Sequence, residues 1–154
     1  MALKAEISAI VASMSPPTPP SFLFGTVDEL NNLADHVSSF PAVFMLALQP
    51  VKRKFTVSSA IGNTYSVYME FLFQVQPDAT TDQCEVYDEQ CEKLINEFLI
   101  RLKNYRDTNG QKVFLVDLKT NINSQQVFNK YDTNTFGRNL TMDLETTYNE
   151  NVCL

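Results

Sequence analysis

The chain has no tryptophan, one histidine and only four glycines among 154 residues. A single histidine, His36, leaves no partner for a multi-histidine metal site or for a general-base triad with a third orienting group. It stands near the end of an expected helix, where a cationic side chain suits the helix dipole, and a structural role is the simpler reading. The glycines at 25, 62, 110 and 137 are isolated from one another, so a glycine-rich phosphate loop is absent. No segment approaches the run of about 20 apolar residues that a membrane helix needs, and no membrane partner is expected.

Cysteine is scarce and odd in number: Cys84, Cys91 and Cys153. Cys84 and Cys91 fall seven apart in an expected helix, which puts them about 10.5 Å apart along its axis. A disulfide needs Cα atoms within about 7 Å, so reduced core thiols are expected, in keeping with cytosolic synthesis. Basic residues are also few. Lys and Arg total 12 against 18 Asp and Glu, a net charge of −6 that argues against general affinity for nucleic acid. Lys52, Arg53 and Lys54 form the one basic cluster. It reads either as a solubilising strand edge or as a contact for an acidic partner surface or passing DNA, and three charges hold phosphate weakly at physiological salt.

Apolar residues make up 44% of the chain, enough for the core of one ordinary domain. "MALKAEISAIVASM" carries Leu3, Ile7, Ile10, Val11 and Met14 at helical spacing, and Glu6 interrupts its apolar run. It reads as an amphipathic helix rather than a secretory signal. "SPPTPP" ends that helix, because prolines favour extended geometry. Residues 1–21 are therefore read as a helix and a stiff linker, and 22–154 as the domain proper. The helix either packs back on its own domain or reaches a neighbouring subunit.

Thr26 and Glu29 match a capping box opening a helix from Val27 to Ser38, with Asp28 in its first turn. "AVFMLALQ" suits a strand covered on both faces, and "KRKFTVSS" a second strand. Gly62-Asn63 reads as the turn into "TYSVYMEFLFQVQ". In that third strand Tyr65, Val67, Met69, Phe71, Phe73 and Val75 share one face, and Leu72 breaks the polar alternation of the other. Its length should leave part of its edge unpaired. A long helix from Thr81 to Tyr105 follows, with Cys84, Tyr87, Cys91, Leu94, Ile95, Phe98, Leu102 and Tyr105 on one stripe. Its acids precede its bases, as the dipole favours, and Glu97–Arg101 is a favourable i,i+4 pair. Asn109-Gly110 turns the chain into "KVFLVDLKT". A short strand is expected at Gln126 to Asn129, Gly137 reads as a bend or bulge, and "RNLTMDLETTY" closes the sheet.

Strands cluster and helices do not alternate with them. The expected class is α+β: an antiparallel-dominated sheet of about 4–5 strands, a long helix on one face, and an N-terminal helical arm. The acids of the long helix lack the Glu-x-x-His of di-metal bundles and read as a solvated face, so neither metal nor cofactor is expected. An assembly protein is then expected over an enzyme. The competing class is a small ligand-binding or enzymatic α+β domain, and an adaptor of a conjugation or secretion machine is a further alternative.

Two stretches carry a resemblance. The first is "YSVYMEFLFQVQPDATTDQCEVYDEQCEKLINEFLIRL", a long strand followed by a helix with an acidic start. The second is "VFNKYDTNTFGRNLTMDLETTYNENVC", in which Tyr131-Asp132, Gly137, an alternating strand and Cys153 follow an aromatic residue. Together they cover a little under half the chain, and the order of elements carries most of the weight. In these the chain resembles neck and tail proteins of tailed bacteriophages, of the tail-terminator or tail-completion type, particularly those of crAss-like phages infecting Bacteroidetes.

The resemblance implies a hexameric or dodecameric ring at the head–tail junction or the end of the tail. Such a ring is a virion part made in the bacterial host cytoplasm. Its partners would be itself, other neck, portal or tail proteins, and viral DNA passing through without sequence-specific binding. Leu3, Ile7, Ile10 and Val11 of the arm, Lys52, Arg53 and Lys54, and Tyr148, Val152, Cys153 and Leu154 of the polar end are the candidate interface.

Overall fold

The computed structural model describes residues 3–15, 19–34, 39–47, 51–55, 61–116, 120–128 and 134–148, with backbone alone for 33–34, 51–55, 61–62 and 147–148. The fold is α+β. Its spine is a pair of antiparallel strands of 14 residues each, β4 (Ile61–Gln74) and β7 (Thr135–Tyr148). They pair without interruption from Ile61↔Tyr148 to Gln74↔Thr135. The alternation in "TYSVYMEFLFQ" fixes this register, because a slip of one residue would send Val67, Met69 and Phe71 to the wrong face.

Shorter strands flank each half of the spine. Beside β4, β2 (Ala42–Leu46) pairs with residues 69–72 and β3 (Val51–Phe55) with residues 61–65. Beside β7, β6 (Ile122–Phe128) pairs with residues 136–142 and β5 (Phe114–Leu115) with 145–146. β1 (Ser21–Gly25) lies parallel to β2. The sheet of seven strands thus has two tiers, β1-β2-β4-β7-β6 and β3-β4-β7-β5. Every pairing but β1–β2 is antiparallel.

One face carries the main core. α3 (Thr81–Asn104) and α1 (Leu3–Ala12) lie over Val43, Val67, Met69, Phe71, Leu140, Met142 and Leu144, and Phe98 meets Phe71 edge-on at 5.7 Å between centroids. α3 starts at a capping box in which Thr80 and Gln83 satisfy each other's backbone N–H groups. The helix runs as its stripe predicts, with Cys91, Leu94, Ile95, Phe98 and Leu102 buried. α2 (Val27–Ala34) opens at the expected box, where the Thr26 N–H donates to Glu29 and the Glu29 N–H to Thr26 Oγ1. It covers the opposite face at the β1–β2 end, so Leu30 packs with Ala42, Phe44 and Leu72. Leu72 breaks the alternation because a second helix roofs it.

Several finer expectations change. Of the two readings of the N-terminal helix, α1 takes the first and packs back on its own domain: Ile7, Ile10, Val11 and Met14 are at most 2% exposed and belong to the main core. Its end is tied to α3, with the Ser15 N–H and Oγ both donating to Glu97 at 2.9 Å. "SFLFG" is a strand, which its position between a proline run and a capping box concealed. Gly62 and Asn63 lie inside β4 rather than in a turn. β7 fills one edge of the long strand residue for residue, but on the other edge β2 and β3 reach only 69–72 and 61–65. Part of that edge is unpaired among the described strands, as its length implies. Gly137 makes no bulge. It pairs in register with Leu72 and Val127, and a Cβ there would drive into the Phe71 carbonyl. Gly110, at φ 75°, supplies the expected turn before β5.

Candidate functional site

The sheet presents two surfaces that its own helices leave open. The first is the polar face of the spine, opposite α3. Alternation sends Ser66, Tyr68 and Glu70 of β4 there, with Asn139, Thr141, Asp143 and Glu145 of β7 beside them. Ser66 Oγ donates to Asp143 at 2.8 Å, and Tyr68 Oη donates to Glu70 Oε1 at 2.6 Å. Glu70 is fully buried between Phe44 of β2 and Asn139 of β7 in the pairing order. A shallow depression of about 240 Å³ lies on this face, with Ser66, Tyr68, Asn123, Thr141 and Asp143 around it. It falls below the range of about 300–1,000 Å³ typical of small-molecule pockets. A second depression is lined only by α3, Ile100 and Arg101 among its residues, so it has no opposing wall.

The second surface is the β6 edge. β6 pairs with β7 on one side, and among the described residues no strand pairs with its other side. Asn123, Ser124, Gln125 and Gln126 are all exposed, and Phe128 at the strand end is 53% exposed although it meets Phe136 at 6.1 Å. β6 is held from beneath by a charged cluster. Arg138 of β7 donates from Nε and Nη2 to the two carboxylate oxygens of Asp88 on α3, and its Nη2 approaches Glu92 at 3.4 Å. Gln126 of β6 also hydrogen-bonds Asp88. The Arg138 hydrogen bond holds the Asp88 carboxyl below its ordinary range.

The predicted residues scatter. Leu3 is half-buried against the core, and Ile7, Ile10 and Val11 are consumed inside it, so these four form no open surface. Lys52, Arg53 and Lys54 lie on β3, opposite Thr64, Asn63 and Gly62. β3 is paired only with β4 among the described residues, so the basic cluster does stand on a sheet edge. Tyr148 ends β7 opposite Ile61. Val152, Cys153, Leu154 and His36 lie outside the described residues. Cys91 is buried, its Sγ donating to the Phe71 carbonyl at 3.4 Å, and burial pushes its thiol up to about 12. Cys84 is free and half-buried. Neither is placed as a nucleophile.

The strand expected at Gln126 to Asn129 is β6, which starts earlier, at Ile122; its length and its open edge were not foreseen. "INSQQVF" has weak alternation, and only the isolated Val127 and Phe128 hint at a strand. Among the described residues no group of three metal-ligating side chains gathers, and no helix is long and apolar enough to cross a membrane. No protein-family model matches the chain, and no curated protein matches it.

Proposed function

We propose that the protein is a structural assembly subunit, a ring-forming neck or tail-completion protein of a tailed bacteriophage. The observation that supports it best is the β6 edge: a strand with one row of backbone groups unmatched by any described strand, four consecutive exposed residues and a half-exposed phenylalanine at its end. Such an edge is an association site unless something covers it. A core shared by α1, α3 and the sheet gives a rigid body from which that edge projects. The remaining support is the resemblance of the long strand, the acidic-start helix and the closing strand to those phage proteins.

In this reading the subunit works by packing, without catalysis or a cofactor. It meets copies of itself and neighbouring neck, portal or tail proteins in the virion. The polar sheet face carries Asp143 and Glu145, and acids of this kind lining a lumen would let DNA pass without gripping its phosphates. Mass photometry of the purified full chain over a concentration series tests the assembly part. A discrete closed oligomer is expected; a monomer that turns over a small molecule would overturn the reading in favour of an enzymatic domain.

A further inference from the structure

The upper tier of the sheet ends in two edges that match each other. β2 runs opposite to β4, β4 to β7 and β7 to β6, while β1 runs with β2. β1 and β6 therefore point in opposite directions at the two ends of one five-strand row. The register also puts them at the same height. Phe22, Val43, Phe71, Arg138 and Gln126 form one row across the sheet, and Leu23, Phe44, Glu70, Asn139 and Gln125 the next. Among the described residues no strand lies outside β1 or β6.

We propose that β1 of one copy pairs antiparallel with β6 of the next, so that the upper tier continues from subunit to subunit. The partner is a second copy of this chain, and this inference rests on the ring reading above. Four observations select that partner. The strand directions give the antiparallel ladder, the stronger of the two kinds of pairing. The face parity agrees: Phe22 and Phe24 stand on the helix-covered side, as does Phe128. A stagger of two residues brings the 53% exposed Phe128 opposite the half-buried Phe22, which removes from water the largest apolar side chain that β6 exposes. Finally, the two edges are different surfaces. Their contact is heterologous, and a heterologous contact propagates into a ring or a filament instead of stopping at a dimer. Every subunit then turns the same sheet face toward the axis.

Cysteine cross-linking between two differently marked chains reads this directly. In a background of Cys84→Ser and Cys153→Ser, one chain carries Leu23→Cys and the other Gln125→Cys or Val127→Cys, residues of one face on the two edges. After mixing and mild oxidation, mass spectrometry should find the mixed disulfide in clear excess over either homodimer. Predominant Gln125→Cys homodimers would mean that β6 pairs with itself and would overturn the proposal. A closed oligomer without the mixed disulfide would overturn it and leave the ring reading standing. Monomer at every concentration, with no cross-link, would remove both. As a second readout, Phe128→Glu should keep the native circular dichroism and weaken self-association by about ten-fold or more; unchanged association would count against the β6 edge.

Discussion

Arg138 on β7 donates to both carboxylate oxygens of Asp88 on α3, at 2.6 and 2.9 Å, and so clamps the long helix to the closing strand. Both side chains are less than a fifth exposed. Asp88→Ala strands a partly desolvated guanidinium, at an expected cost of about 2 kcal/mol by urea unfolding. Because the folded carboxyl titrates below its unfolded value of about 3.9, the pair contributes fully above that pH and fades as pH falls through the folded value. The stability gap between wild type and Asp88→Asn should therefore close in acid and be widest near neutrality. A gap that persists unchanged at low pH would assign the effect to packing instead.

The N-terminal helix is expected to behave as core. Ile10 is 1% exposed among Val11, Met14 and the α3 stripe. Ile10→Ala should cost about 3 kcal/mol, by lost transfer energy plus a cavity. A projecting arm would lose almost nothing, so urea titration of this one variant separates the two roles.

Gly137 and Gly110 should respond differently to alanine. At Gly137 the new Cβ meets the Phe71 carbonyl and Leu72, and both belong to the spine. The strands must part, and a loss of about 3 kcal/mol or more is expected. At Gly110 the Cβ meets nothing within 4 Å, and only the left-handed backbone at φ 75° is strained. Gly110→Ala should cost about 1–2 kcal/mol. Thermal melts of both variants give the order.

Cys91 should resist alkylation in the folded protein at pH 8, since burial raises its thiol to about 12 and removes it from solvent. Cys84 should react faster, being half-buried. Peptide mapping by mass spectrometry of iodoacetamide-treated protein, before and after urea, locates the modified cysteines and resolves the two. Ready native modification of Cys91 would mean that α3 lifts from the sheet.

What could be read from residue order follows local physics. The α3 stripe, the Thr26–Glu29 box and the two faces of β4 each lie within a single element, and all three appear where local pattern puts them. The misses are long-range. Leu72 breaks the pattern because α2, far off in sequence, returns to cover it. Gly137 cannot be understood without Phe71, which lies 66 positions earlier. β1 is short and hidden between two louder signals, and β6 is almost without alternation because neither of its faces is buried from Asn123 to Gln126. The open edge is thus the feature least visible in the sequence and the one on which the assembly reading leans.

The central claim is that the chain is a ring subunit of a virion. Electron micrographs of phage particles carrying a gold-labelled, affinity-tagged copy of the chain test it most directly. The account predicts label confined to one ring at the head–tail junction or at the tail end. Label absent from the particles, with the tagged chain recovered only from the soluble host lysate, would contradict it.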